Sequence, residues 1–331
     1  MPDPESRPVR SENASAEPRP PLIVVVMPAY RSAARIGSVL AGMPPLVHRI
    51  VVVDDASPDD LARVVSAAAD PRIVVLRHPM NRGVGGATRT GFAAAIELGA
   101  DVVVKIDSDG QMDPERIPDL VAPILAGDAD FTKGNRFHDL RFLRAMPPTR
   151  RLGNLGLSFL VKAASGYWSV FDPCNGFLAL RAKHLRALRP EMLAERYFFE
   201  ISLLCEAYSV RAVLRDVPMP PQYGDEVSSL SPAKSAFEFL PRLVARLVRR
   251  IGYTYFLHDF NLVSVFLCGG LPLLLFGVAW SAYHWYRSYA TGVVATSGTV
   301  IIGALTIILG FQLLLQAVVL DVQSEPGRRT R

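Results

Sequence analysis

Short apolar runs rich in Val and Ile recur at 22–27, 49–53, 73–76 and 102–106, each of strand length. Between them, 33–41, 59–69 and 84–98 carry helical spacing, and 113–126 follows the fourth run with Pro114 near its first turn. This alternation predicts parallel βαβ units with helices on both faces of a sheet. Such a sheet takes ligands at the carboxyl ends of its strands. Functional residues are therefore expected just after Met27, Val53, Leu76 and Ile106. From 127 to 230 the pattern is less regular, with strands expected at 130–131, 177–180 and 212–217 and helices at 150–165 and 199–208.

Beyond 230 the pattern changes. Residues 231–259 read as a helix interrupted at Pro241, with Arg242, Arg246, Arg249 and Arg250 on one face and Leu243, Leu247 and Ile251 on another. A basic amphipathic helix beside a membrane segment is expected to lie in the interface; an ordinary surface helix has the same spacing. Residues 262–283 are uncharged and would span ~33 Å as a helix, enough to cross a bilayer. Trp280, Tyr283, Trp285, Tyr286 and Tyr289 gather at one end as an aromatic belt. A second uncharged stretch covers 293–320, where Gln312 and Gln316 suit a helix–helix contact. Four Arg precede the first span and Arg328, Arg329 and Arg331 follow the second, against Arg287 alone between them. Positive-inside then predicts a multi-pass protein of the cytoplasmic membrane, with both termini and the globular domain cytoplasmic.

Composition agrees with that division. Of 331 residues 50% are hydrophobic and 20% charged, against about 25% charged in soluble domains. A disordered chain, a disulfide-stapled module and a plain cytosolic enzyme are excluded. Residues 1–20, without an apolar core segment, read as a disordered tail rather than a signal peptide. The expected organisation is this tail, a catalytic domain at 21–230, juxtamembrane helices at 231–260, two transmembrane helices at 261–321 and a basic tail at 322–331. The net charge of +5 suits anionic lipid or a phosphorylated substrate. No basic run with interleaved aromatics is present, so nucleic acid is not an expected partner. Cys174, Cys205 and Cys268 form no C-x-x-C and fit a reducing compartment.

Four polar clusters fall at the expected strand ends. Pro28-Ala29-Tyr30 follows the first, with a ring available for stacking on a base. Asp54-Asp55-Ala56-Ser57 follows the second; its carboxylates suit a base or ribose, while Ser57 or Asp59 could equally cap the next helix. Asn81-Arg82-Gly83-Val84-Gly85-Gly86 follows the third and lets backbone approach a ligand at a helix start. It is not the dinucleotide fingerprint: Thr88 stands at the third glycine and the acidic strand end precedes the loop. Asp107-Ser108-Asp109-Gly110-Gln111 follows the fourth, and carboxylates at i and i+2 of a turn can hold one hard divalent cation that binds a diphosphate.

From 22 to about 230 the chain resembles the inverting GT-A glycosyltransferases of family 2, through Pro-x-Tyr, Val-Asp-Asp-x-Ser, Asn-x-Gly-x-Gly and Asp-x-Asp-x-Gln. Gly134-Asn135-Arg136-Phe137, Arg150-Arg151 with Gly153-Asn154, and Asp172-Pro173-Cys174-Asn175-Gly176-Phe177 are similar to motifs of the polyprenyl-phosphate hexosyltransferases, the dolichyl-phosphate mannose synthase group. The chain departs from the pattern at Arg31-Ser32, where the family has Asn-Glu, at Asn135 and Asn175, which replace Ser, and at 223–230, which lacks a Lys. No Gln-x-x-Arg-Trp signature of processive synthases is present.

The resemblance implies a GT-A fold, a Rossmann-like, mostly parallel sheet with helices on both faces. It implies transfer of a hexose from GDP-mannose or UDP-glucose to polyprenyl phosphate, with inversion. Pro28, Ala29, Tyr30, Asp55, Ser57, Asn81, Gly83, Arg89, Asp107 and Ser108 are then the nucleotide-sugar contacts. Asp107, Asp109 and Gln111 hold Mg2+ or Mn2+; Arg136, Arg151 and Asn154 hold the acceptor phosphate; Asp107, Asp109 and Arg136 are catalytic. The acceptor is already anionic, so no side-chain base is required. Glu200 matches an acidic position of the family or pairs with an Arg in the core. A different lipid acceptor such as diacylglycerol, an inactive GT-A membrane scaffold and a homo-oligomer stay open.

Overall fold

The structure, a computed structural model, describes residues 19–136, 148–220 and 232–327, with side chains described throughout except at 148–155 and 232–237. The chain runs β1 (Ile23–Ala29), α1 (Ala33–Ala41), β2 (Arg49–Asp54), α2 (Leu61–Ala67), β3 (Ile73–Arg77), α3 (Gly83–Glu97) and β4 (Val102–Lys105). A 3-10 turn (Pro114–Arg116) leads into α4 (Ile117–Leu125), β5 (Phe131–Asn135), α5 (Pro148–Ser165), β6 (Leu178–Arg181), α6 (Ala182–Ala187), α7 (Phe199–Ser209) and β7 (Leu214–Pro218). Then follow α8 (Pro232–Gly252), a π-helical turn (Tyr253–His258), α9 (Leu262–Thr291) and α10 (Ser297–Gln323).

The strands form one sheet in the order β3-β2-β1-β4-β6-β5-β7. β1 lies parallel to β2 and β4, β2 to β3 and β5 to β7, while β6 runs antiparallel to β4 and β5. The expected mostly parallel sheet is thus present. Both faces are buried, so β1 is apolar throughout rather than alternating. Val24 and Val26 pack on one side with Phe92 and Phe199; Val25 and Met27 pack on the other with Ile36, Leu61 and Leu120.

Pro28 was expected to end the first strand but lies inside it, paired in register with Val53. Its missing N–H faces β4, whose pairing with β1 stops at Val26, so no ladder bond is lost. Likewise α8 continues through Pro241 instead of breaking there and opens into the π turn only after Gly252.

The α8 arginines also differ from a single lipid-facing row. Arg246 donates to Glu206 and Arg250 to Asp321, so these two turn into the protein, while Arg242 and Arg249 stay exposed, as do Leu240, Val244 and Val248. The outward apolar stripe with Arg242 and Arg249, rather than Arg246 and Arg250, is what a bilayer surface could take up.

α9 and α10 are the two described helices long and apolar enough to cross a membrane. Gln312 and Gln316 were expected between them but are exposed. Glycines make the contact instead: a Cβ on Gly310 would lie 2.5 Å from the Leu274 amide nitrogen. Such close backbone approach leaves no room for a longer polar side chain.

Candidate active site

Parallel strands bring the ends of β1, β2, β3 and β4 to one edge, and side chains stitch those ends together. The Ser108 hydroxyl donates to the Pro28 carbonyl at 3.0 Å, tying the fourth cluster to the first. The Arg31 amide donates to Ser57 Oγ at 2.7 Å, tying the first to the second. Asn81 Nδ2 donates to the Asp55 carbonyl at 3.2 Å, tying the second to the third. Arg31 and Ala56 hold positive φ of 54° and 56° at two of these ends. Strain of that kind in non-glycine residues collects at functional loops.

Asp55 is buried and its carboxylate is well occupied. It accepts from the amides of Arg82 at 2.9 Å and Gly83 at 2.7 Å, and bonds His78 Nδ1 at 2.6 Å. It therefore anchors the start of α3. Gly83 needs to be glycine: its φ is +83° and a Cβ would meet the Glu195 carbonyl oxygen at 2.7 Å. Capping near Ser57 also differs from expectation. Asp59 accepts from the Ala33 amide at 2.9 Å, serving the start of α1, whereas the N-cap of α2 is Asp60, without a side-chain capping bond. Tyr30 is exposed beside these residues. Arg89 pairs with Glu195 at 3.6 Å, and Arg82 approaches the same carboxylate at 3.4 Å.

Behind the Asp107–Gln111 turn sits a cation that sequence reasoning passed over. Lys105 is 0% exposed, with Nζ 2.7 Å from Asp107 Oδ1 and 3.1 Å from Glu200 Oε1. Burial alone would lower its pKa, but Asp107 and Glu200 together raise it above the ordinary lysine value. Glu200 thus pairs with a lysine, not an arginine. Gly176 closes over this pair: a Cβ there would lie 2.5 Å from Nζ and 2.6 Å from Asp107 Oδ2. The one available signal was a lysine ending an otherwise apolar, buried strand.

Asp109 Oδ1 accepts the Gln111 amide at 3.0 Å, and Gly110 turns the chain with φ +76°. Burial raises the Asp109 carboxyl above its ordinary value, and the neighbouring Asp107 charge adds to the rise. A carboxylate whose ionisation is made costly beside a second one suits a divalent cation. No cluster of three or more His, Cys, Asp or Glu side chains able to hold a metal occurs among the described residues. Two carboxylates with substrate phosphates completing the shell is the manner of Mg2+ in nucleotide sites.

On the far side of the sheet edge, Arg136 grips Asp172 bidentately, with Nε at 2.7 Å and Nη2 at 3.1 Å. Asn175 Nδ2 donates to the Gly134 carbonyl at 2.7 Å, and buried Lys133 donates to the Asn175 carbonyl. Asn135 Nδ2 donates to Asp216 at 3.3 Å. Burial pushes the Asp216 carboxyl up to about 6. Arg151 and Asn154 lie on α5, but their side chains, together with the motif at 223–230 and residues 1–18 and 328–331 of the two tails, fall outside the described residues.

Comparison with known proteins places this arrangement among sugar-transferring enzymes. The family model for Glycosyl transferase family 2 matches residues 24–189. A UDP-N-acetylglucosamine–dolichyl-phosphate N-acetylglucosaminyltransferase from Methanococcus voltae is 32% identical over 53% of this chain and 76% of its own. An undecaprenyl-phosphate mannosyltransferase from Micrococcus luteus is 28% identical over 60% of this chain and 82% of its own. Among solved structures, glucosyl-3-phosphoglycerate synthase from Mycobacterium tuberculosis, with Mn2+, uridine-diphosphate-glucose and phosphoglyceric acid, superposes with a TM-score of 0.53. That match is 25% identical and covers 70% of this chain and 80% of the other.

Proposed function

The chain belongs to glycosyl transferase family 2, and on that premise we propose that it moves a hexose from a nucleotide sugar to polyprenyl phosphate at the cytoplasmic membrane face, with inversion. It is a glycosyltransferase by family; the acceptor and the stereochemistry are our reading. One observation carries it: the Asp107/Asp109 turn is stitched to the Pro28 strand end, and that end to the Asp55 one, in a domain continuous with two membrane-length helices. Relatives named for dolichyl-phosphate and undecaprenyl-phosphate acceptors support the lipid-phosphate choice.

In this reading Tyr30 stacks on the base, and Asp55 orders Asn81 and the Gly83 loop against the nucleotide. A divalent cation, Mg2+ or Mn2+, held by Asp107 and Asp109 with Gln111, would offset the negative charge that grows on the departing diphosphate. Lys105, 2.7 Å from Asp107 Oδ1, fixes the direction of that carboxylate. Arg136, with Arg151 and Asn154, receives the acceptor phosphate, whose oxygen is already a nucleophile and needs orientation rather than deprotonation. For Arg136 this means sharing or exchanging its grip on Asp172.

The test is incubation of membranes containing the protein with labelled GDP-mannose, UDP-glucose or UDP-N-acetylglucosamine, followed by lipid extraction. Label in an acid-labile polyprenyl-phosphate sugar is the expected result. Label in a glycerolipid would overturn the acceptor, and no lipid label from any donor would favour an inactive scaffold.

A further inference from the structure

Asp321 stands on the last turn of α10, where the second membrane-length helix returns to the globular domain. Its carboxylate is buried and accepts from Arg250 Nη1 at 2.7 Å, Arg250 Nη2 at 2.9 Å, Trp168 Nε1 at 2.9 Å and the Tyr255 hydroxyl. Arg250 is only 9% exposed and also donates from Nε and Nη2 to the Ala163 carbonyl, at 3.0 and 2.7 Å. The Tyr255 carbonyl in turn accepts the Ser264 hydroxyl, in the first turn of α9. Beyond Asp321, Ser324 takes the Arg211 guanidinium on its carbonyl at 3.0 Å, and Glu325 takes the Ser169 hydroxyl. One carboxylate therefore joins α5, α8, the π turn and Trp168 to the foot of the helical hairpin.

An apolar contact would fasten the hairpin to the domain without requiring one orientation. A buried ion pair adds little net stability over well-packed apolar side chains, but it demands one geometry. Geometry matters for an acceptor whose phosphate is held at a fixed depth in a bilayer, because reacting atoms must meet at about 3–3.5 Å. For an acceptor free in water, the tilt of the domain over the membrane is irrelevant.

We propose that Asp321 is a positioning residue: by clamping Arg250, Tyr255 and Trp168 it sets the height and tilt of the catalytic domain over the bilayer that carries a lipid-phosphate acceptor. This rests on the lipid-phosphate reading above. The burial of Arg250, whose pKa is nonetheless raised by Asp321, agrees with a clamp that stays charged.

The experiment uses the full chain in liposomes and two acceptors with the same phosphate: a long-chain polyprenyl phosphate embedded in the bilayer and a short-chain isoprenyl phosphate soluble in water. The variant R250M/D321L replaces both charges with apolar side chains of similar volume. Its kcat/KM for the embedded acceptor is expected to fall at least tenfold, while kcat/KM for the soluble acceptor and donor affinity stay within twofold. Equal loss on both acceptors, or no loss on either, overturns the proposal. Should the double variant fail to fold, Trp168→Phe decides: it removes one donor from Asp321 and keeps an aromatic ring. A loss confined to the embedded acceptor supports the clamp, and any other pattern refutes it. Wild type that uses neither acceptor overturns the lipid-phosphate reading itself, and this inference with it.

Discussion

Lys105→Met tests the central electrostatic feature of the site. The substitution keeps the length and apolar stem of the side chain and removes a charge that is fully buried between two carboxylates. Glu200 suffers more than Asp107, because their side chains are 11% and 26% exposed and water can reach only the second appreciably. Breaking a buried pair by deleting one partner costs about 3–5 kcal/mol. For a domain of this size that lowers Tm by roughly 6–20 °C, at about 2–4 °C per kcal/mol. Glu200→Gln alone leaves Lys105 with Asp107 and should cost roughly 1.5–3 kcal/mol, the worth of a charge-assisted bond. The double variant K105M/E200Q removes the uncompensated carboxylate and should regain much of the loss. Activity should not return with it, since Asp107 has lost its anchor; displacement of a reacting group by about 1 Å costs on the order of a hundredfold in rate. Thermal unfolding by circular dichroism in detergent, beside transfer rates, measures both. K105M melting within about 2 °C of wild type would refute the reasoning.

Asp109→Ala should abolish transfer while Tm changes little, because the Asp109 carboxylate takes the Gln111 amide of its own turn; chelator should likewise stop the wild type, and persistence of turnover under chelation would exclude the metal. Arg136→Ala should raise acceptor KM or lower kcat by roughly ten- to a hundredfold, the equivalent of about 1.5–3 kcal/mol, and leave nucleotide affinity by calorimetry unchanged; equal loss of nucleotide affinity would assign Arg136 to the donor. Asp216→Asn should alter the pH dependence of stability. The folded-state pKa of Asp216 is raised to about 6 from 3.8, so the native state binds the proton more tightly than the unfolded chain. Wild type therefore gains stability as pH falls from above 6 toward 4, and the variant lacks this gain. Melting at pH 5.5 and 7.5 compares them, and parallel behaviour would count against the burial of that carboxyl.

The parts of the fold set by local periodicity were legible in advance. β-branched runs marked β1 to β4, and the rule that ligands sit at strand ends brought Pro28, Asp55, Asn81 and Asp107 into view before any of their contacts were known. What pairs with what was not legible. Asp59 serves α1 rather than α2, and Asp55 is taken by the amides at the start of α3, because the strand order places these loops side by side. Lys105, within the fourth apolar run, carried no role in the sequence, since its two partners lie 2 and 95 residues away. Arg246 and Arg250 were read with Arg242 and Arg249 as one face toward lipid, because nothing in local spacing reveals that Glu206 and Asp321 meet them. Gln312 and Gln316 pointed to helix contact by polarity, whereas the glycines that make it carry no polarity at all.

That return changes where the catalytic unit can be cut. A division near Asp259 looks natural from hydropathy, but Asp321, Ser324, Glu325 and Gly327 pack on Trp168, Arg211, Ser169 and Val213. A chain ending at 259 loses all of these contacts. Arg250 would then be reached by water, so its cost falls below that of a charge left buried. What remains is the loss of charge-assisted bonds, roughly 1.5–3 kcal/mol, or about 3–12 °C in Tm. The matching variant replaces residues 262–319 with a Gly/Ser linker and retains 320–327. Closing a longer flexible loop adds only about 0.6 kcal/mol per doubling of length, so most of the lost stability should return without any membrane helix. Both forms can be compared by thermal unfolding and by limited proteolysis at α8. Equal melting temperatures would mean that the C-terminal segment contributes nothing to the globular domain. A clear recovery would show that the domain is completed by residues lying beyond its own membrane anchor.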